Sequence, residues 1–307
     1  ASDVYKRQDK ELQELAEQYE AAMAENKPFY QDADELADLA DWYGTKKRYD
    51  KAFEIAEYGL KLHPDSTELM IEYAYLHLDN GKKAKAREII ENLPDTYSPE
   101  AKVVRAHLLL SEGKLDDAEQ LLDTIEDKAD LANVVDVSYM YLDMGYPDKA
   151  LAWLDPVKEE YSDEEAYIAV VADCLYGKGM TEEAIPLYNR LIDMNPYSAP
   201  YWFGLARCHF EEMNFNQAID ACDYALVGDD EFADAYVMKG HCFYQLGNED
   251  AALEYYQKAE ELHGLAPEFI YTYIGLCKVS KGEWKEGYEN LEKAILENET
   301  DEIASPI

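Results

Sequence analysis

The side chains able to do chemistry are numerous in this chain, but their spacing points away from catalysis. Its five cysteines are Cys174, Cys208, Cys222, Cys242 and Cys277. They form no CxxC pair, and an odd number does not suit a disulfide framework or a zinc site. Four of them, Cys174, Cys208, Cys242 and Cys277, recur in step. Equivalent points on stacked helices lie about 8–10 Å apart, beyond the roughly 7 Å between Cα atoms that a disulfide tolerates. They are therefore expected to be small buried hydrophobes, and Cys222 with them. The histidines, His63, His77, His107, His209, His241 and His263, include no HxxxH or HExxH pair, which removes the usual zinc-hydrolase pattern. No GxxxxGK[ST] loop, GxGxxG turn or GxSxG elbow occurs. Neighbouring carboxylates such as Asp229-Asp230-Glu231 follow from the 66 acidic residues by number alone. The expectation is a chain with no catalytic, metal-binding or cofactor-binding residues, and so no enzyme.

The 26 tyrosines are the more informative excess. Some fall where a ring would pack between helices with its hydroxyl at the edge, as at Tyr43, Tyr141 and Tyr236. The elements that position them show best in the stretch 233–266. There an apolar helical pattern, a Leu246-Gly247-Asn248 breaker and a second apolar helical pattern follow one another. Tyr236, Gly240 and Phe243 make a large-small-large series on the first helix, and Ala252 stands before Tyr256 on the second. The missing side chain lets a neighbouring helix approach.

Copies of this hairpin fill the chain. The small residue of the second helix recurs as Ala52, Ala86, Ala118, Ala150, Ala184, Ala218, Ala252 and Gly287, in steps of 34, 32, 32, 34, 34, 34 and 35. Twelve residues before each stands another small one: Ala40, Ala74, Ala106, Ser138, Ala172, Ala206, Gly240 and Gly275. Gly81, Gly113, Gly145, Gly179, Gly247 and Gly282 break most copies at the midpoint, while Lys46-Lys47-Arg48 and Met213-Asn214 take that place in the first and sixth. The 32-residue steps are expected to trim an interhelix loop. A leading helix over Asp9–Asn26 lies out of this register and reads as a cap.

The register resembles the tetratricopeptide repeat (TPR), a helix-turn-helix unit of 34 residues. Trp202, Leu205, Ala206 and Ala218, then Tyr236, Gly240, Phe243, Ala252 and Tyr256, carry the resemblance best. It implies an all-α, right-handed superhelical α-solenoid of about eight helix-turn-helix repeats with an N-terminal helix. The expected division is a cap at 9–31 and an array at 32–301, with repeats at 33–66, 67–98, 99–130, 131–164, 165–198, 199–232, 233–266 and 268–301, then a tail at 302–307. In that family the first helices line the concave face, where the resemblance places Tyr75, Leu78, His107, Leu110, Tyr139, Leu142, Asp173, Tyr176, Phe203, Arg207, Phe210, His241, Tyr244 and Phe269. Aromatics with Arg and His are the stuff of binding hot spots. The expected partner-binding groove is Tyr75, His107, Tyr139, Asp173, Tyr176, Phe203, Arg207, Phe210, His241 and Tyr244. Some relatives clamp the terminal carboxylate of chaperones with Lys, Asn and Arg on this face. Here the Asn-equivalent positions hold Asp41, Tyr75, His107, Tyr139, Asp173, Arg207, His241 and Leu276, so that clamp is absent.

The expected function is a non-catalytic scaffold that holds a peptide or helix of a partner protein in an aromatic concave groove. The alternatives are a self-assembling module, with a homodimer through the C-terminal repeat, and an accessory subunit of an enzyme complex. With 28 Lys and Arg against 66 Asp and Glu, the net charge is −38. That field repels nucleic acid and anionic membrane surfaces and favours a partner with basic residues. No apolar run reaches the roughly 20 residues of a membrane span, and no secretory signal pattern is present. A reducing cytoplasm is the simplest setting. Residues 1–8, whose Ser2–Gln8 segment resembles a translated sequencing adapter, are expected to be an artefact of a bacterial metagenomic gene fragment.

Overall fold

Local chemistry sets where many of the helices begin and how paired helices reverse. Three first helices start on side-chain caps: Ser66 Oγ accepts the Leu69 amide at 3.2 Å, Ser98 Oγ that of Ala101 at 3.3 Å, and Asp130 Oδ1 that of Asn133 at 3.1 Å. Asp32 and Glu35 form a capping box. The turns between paired helices reverse through one residue in the left-handed region. That residue is a glycine at Gly81, Gly113, Gly145, Gly179, Gly247 and Gly282, with φ between 70° and 79°. The following amide then reaches back to a carbonyl in the last helical turn, as Lys82 does to His77 at 2.8 Å and Asn248 to Phe243 at 2.9 Å. The two copies without glycine make the same turn. Lys47 and Met213 stand at φ 58° and 59°, and Arg48 and Asn214 donate to Tyr43 and His209 at 2.9 and 2.8 Å.

The computed structural model describes residues 2–25, 27–262 and 264–304, with side chains from 11 to 297 apart from 26 and 263. The expectations for His263, for the side chains of residues 1–8 and for the end of the tail at 305–307 fall outside these described residues. Within them every regular element is helical. The helices form two compact units, Ala1–Gly179 and Met180–Ile307. The first holds α1 (Ser2–Ala24), α2 (Ala33–Thr45), α3 (Tyr49–Leu62), α4 (Thr67–Asp79), α5 (Lys83–Glu91), α6 (Pro99–Ser111), α7 (Leu115–Leu122), α8 (Leu131–Asp143), α9 (Pro147–Leu154), a 3₁₀ turn (Asp155–Val157), α10 (Lys158–Tyr161) and α11 (Glu165–Gly177). The second holds α12 (Thr181–Met194), α13 (Ala199–Glu211), α14 (Phe215–Gly228), α15 (Ala233–Gln245), α16 (Glu249–Glu261), α17 (Pro267–Ser280) and α18 (Trp284–Ala304).

The small residues sit at the closest approaches. Ala52, Ala86, Ala118, Ala150, Ala184, Ala218 and Ala252 are fully buried, as are Ala40, Ala74, Ala106, Ser138, Ala172 and Ala206. Ser138 Oγ donates to the Ala150 carbonyl at 3.3 Å. A Cβ on Gly275 would lie 3.1 Å from the Gly287 carbonyl oxygen. The twelve-residue pairs Ser138–Ala150 and Gly275–Gly287 therefore touch across their hairpins. Tyr43, Tyr141, Tyr188 and Tyr256 fill the space beside them and are almost wholly buried. All five cysteines are buried, and none is in a disulfide.

The short repeats differ from expectation in how they lose length. The second helices α5 and α7 have 9 and 8 residues against 14 in α3, while the loop 92–98 that follows α5 is longer than the loop 63–66 that follows α3. The helix is trimmed and the loop is not. Asn92-Leu93-Pro94 accounts for α5, because proline lacks the amide hydrogen that a further turn requires.

In the first unit α2 packs on α4, α4 on α6, α6 on α8 and α8 on α11, and α2, α4, α6 and α8 also pack on α3, α5, α7 and α9 in turn. The first helices thus form a continuous layer. That layer presents the site.

Candidate functional site

One face of this layer encloses a cavity of about 630 Å³, walled by Asp41 of α2, Glu72, Tyr75 and Asp79 of α4, Glu100 and His107 of α6, and Asp136, Tyr139 and Asp143 of α8. Spacing explains the convergence. Glu72, Tyr75 and Asp79 stand at i, i+3 and i+7, which is one face of a helix, and Asp136, Tyr139 and Asp143 repeat the pattern in α8. The Tyr75 and His107 rings meet at 5.7 Å. Tyr139 donates its hydroxyl to Asp173 Oδ2 at 3.4 Å.

The electrostatics of this hollow are one-sided. Asp41, Glu72, Asp79, Asp136 and Asp143 make no ion pair among the described residues. Asp41, Asp79, Asp136 and Asp143 are open to solvent by surface area, yet the walls crowd them and thin the water around each charge. Burial, reinforced by Asp41, Asp79 and Asp38, pushes Glu72 up to about 8. Burial with Glu100 and Asp130 raises Asp136 to about 6, and burial with Asp79 and Asp173 raises Asp143 to about 6. Asp41 and Asp79 rise for the same reason, burial first and a neighbouring carboxylate second. Burial, then Asp136, Glu72, Asp143 and Asp79, holds the Tyr75 hydroxyl far above the phenol range, so four carboxylates from two helices surround one phenol. His107 is pushed down by burial and stays neutral near pH 7.

Of the groove residues anticipated from the sequence, the structure gathers Tyr75, His107 and Tyr139 at this cavity and attaches Asp173 through Tyr139. Tyr176 is half-buried outside the lining. In the second unit the Arg207 guanidinium lies 5.6 Å over the Phe203 ring and donates to Tyr188 Oη at 3.3 Å. Phe203 meets Phe232 edge-on at 5.3 Å, and Phe210 meets Phe215 at 5.5 Å and His241 at 6.3 Å. His241 Nδ1 is 2.7 Å from Tyr256 Oη, and its ring meets Tyr273 at 4.6 Å. Tyr244 packs partly buried on the core beside them. These rings hold one another as well as facing outward. Leu110, read from the sequence as a concave position, is instead 4% exposed in the core, because its side chain fills the α6–α7–α8 interior.

Sequence reasoning missed Glu72, Asp79, Asp136 and Asp143 as site residues, and named Asp41 only as a clamp-equivalent position. The signal was phase. Asp38, Glu72 and Asp136 share one repeat position, which Val104 and Val170 hold in α6 and α11 and Gly204, Met238 and Tyr273 hold in the second unit. Burial pushes the Cys277 thiol up to about 11 and that of Cys174 to about 12, which leaves both poor nucleophiles. Among the described residues no His, Cys, Asp and Glu group is arranged to hold a metal ion, and no helix is long and apolar enough to cross a membrane.

Known proteins fit this geometry. The tetratricopeptide repeat family model matches residues 45–106, and the model for anaphase-promoting complex, cyclosome, subunit 3 matches residues 177–259. No curated protein sequence matches the chain. A tetratricopeptide repeat protein from Parabacteroides merdae ATCC 43184 superposes with a TM-score of 0.55 at 18% identity, covering 80% of this chain and 98% of that one. The APC/C hetero-tetramer Cut9-Hcn1 gives 0.49 at 18% identity over 97% and 68%. MamA from Desulfovibrio magneticus RS-1 gives 0.49 at 17% over 57% and 98%. Residues 45–106 carry the tetratricopeptide repeat, and the chain folds as an array of such helix hairpins.

Proposed function

We propose that the chain is a non-catalytic scaffold that holds a segment of a partner protein on its first-helix faces. Tetratricopeptide repeats mediate protein–protein interaction. The observation that carries the finer reading is the cavity walled by Tyr75, His107 and Tyr139 and ringed by unpaired carboxylates. Aromatic rings offer contact area at little entropic cost, and the carboxylates steer a partner bearing Lys or Arg. Asp173 and Tyr176 extend that surface in the first unit. Phe203, Arg207, Phe210, His241 and Tyr244 offer a separate aromatic surface in the second. The division into a cap at 9–31 and hairpins over 32–301 serves this reading, since only the hairpins carry first-helix faces. A net charge of −38 argues against nucleic acid and anionic membranes, and a cytoplasmic setting suits five buried cysteines outside any disulfide. Replacing Tyr139, Phe203 and Phe210 together with Ala should abolish partner capture and leave helicity intact. Unchanged capture would remove the reading.

A second reading rests on α18. Trp284, Tyr288 and Ile295 lie at i, i+4 and i+11 on that helix and are 59%, 62% and 60% exposed. A face of this kind supports self-assembly with a second copy. Light scattering against concentration tests it: a mass that stays monomeric at high concentration excludes the dimer.

A further inference from the structure

The acidic cavity of the first unit has features that a merely solvated acidic face lacks. It has depth and aromatic walls. His107 Nδ1, in the wall, is buried without a hydrogen-bond partner, and the Tyr75 hydroxyl makes no hydrogen bond among the described residues. No Lys or Arg lines the cavity, and several cations on the helices around it are committed elsewhere: Lys51 to Glu54, Lys83 to the Ser111 carbonyl, Lys85 to Glu88, Arg87 to Glu112, and Lys149 to Glu119. Lys102 and Arg105 of α6 donate to the carbonyls of Thr124 and Ile90. What faces the carboxylates is more of the same charge: Asp38 from α2, Glu100 from α6, Asp130 before α8 and Asp173 from α11. The hollow lacks only positive charge.

We propose that this cavity is a recognition site for two or more alkylammonium or guanidinium groups of a partner's lysine- or arginine-bearing segment, and that loading it expels protons, so that capture strengthens as pH rises. The inference rests on the scaffold reading and adds the partner's chemistry and a control. Apposed carboxylates retain protons because ionising one disfavours ionising the next. Cations inserted among them, with phenol faces beside them, reverse that preference. The protons released then appear as a pH dependence of affinity. Glu72, Asp136 and Asp143 place the dependence between about pH 5 and pH 8.

The test is calorimetry on the intact chain with three probes: an octapeptide bearing two lysines, its lysine-acetylated twin, and spermidine. Each is titrated near pH 8 and near pH 5.5, in buffers of different ionisation enthalpy to count protons. The lysine peptide is expected to bind about tenfold or more weakly at the lower pH and to release protons on binding, while the acetylated twin does not bind. E72Q/D143N should weaken the lysine peptide about tenfold near pH 8 and flatten its pH dependence. E91Q/E126Q removes the same formal charge from exposed helix and loop positions and should change affinity less than about twofold. Equal losses in the two variants would reduce the effect to the overall field and overturn the site. Equal binding of the acetylated twin would overturn the cationic chemistry while leaving a scaffold that binds by other contacts. Spermidine binding tighter than the peptide would overturn the assignment to a protein segment. Because the amide variants relieve repulsion, they are expected to stay folded.

Discussion

Neutralising one carboxylate should make this protein more stable, and the size of the gain follows from the cavity. In Glu72→Gln the side chain keeps its shape and loses its charge. Burial and the nearby Asp41, Asp79 and Asp38 move Glu72 from 4.5 to about 8. Each tenfold change in proton affinity corresponds to about 1.4 kcal/mol, so the unscreened cost of ionised Glu72 is roughly 5 kcal/mol. Water entering the cavity screens part of it, and roughly half, about 2 kcal/mol, is the expected gain for Gln above pH 8. Between the two values the folded state holds the proton and the unfolded state does not, so stability falls as pH rises from about 4.5 to about 8. Gln removes that slope. For a unit of this size the gain corresponds to a melting shift of roughly 5 °C. Thermal melts followed by circular dichroism at pH 5, 6, 7 and 8 read both effects, with Glu91→Gln as a control for loss of charge elsewhere. A Glu72→Gln melting point at or below wild type at pH 8, or wild-type and variant curves parallel across pH, would refute the reasoning.

Two further substitutions probe the elements that hold the site. Met213 occupies a left-handed turn at φ 59°, where a side chain costs about 1 kcal/mol or more; Met213→Gly should recover roughly 1 kcal/mol, read as a higher midpoint in urea with an unchanged slope. Gly240→Ala should do the reverse. Its Cβ would lie 2.5 Å from Tyr256 Cε1, a ring 1% exposed and bonded to His241. The overpacking of about 1–3 kcal/mol outweighs the roughly 1 kcal/mol that alanine gains over glycine in a helix, and the same urea midpoint should fall.

The packing of this chain was legible because it is written in residues with few alternatives. A small residue at a twelve-residue interval marks a close helix contact, as Ser138 and Ala150 or Gly275 and Gly287 show. The left-handed turn was legible wherever glycine marked it. It was harder to see at Lys47 and Met213, where hairpin packing forces side-chain-bearing residues into the same conformation. The site was legible in part. Tyr75, His107 and Tyr139 stood out by type. Glu72, Asp79, Asp136 and Asp143 did not, because 66 acids make any single one unremarked, and only repeat phase separates a carboxylate facing the cavity from one facing water. The shortening of α5 and α7 was hidden for another reason: a repeat length does not say whether loop or helix is lost.

The tyrosines themselves offer the most direct test of the central claim, that partners are held on the first-helix faces. Hydroxyl-radical footprinting of the intact chain, free and with its captured partner, reads the exposure of each ring. The account predicts protection at Tyr75 and Tyr139 of the cavity, with Tyr97 and Tyr224, exposed at 83% and 56% away from it, modified as before. Protection confined to Tyr97, Tyr224 or Tyr288, with Tyr75 and Tyr139 unchanged, would contradict it.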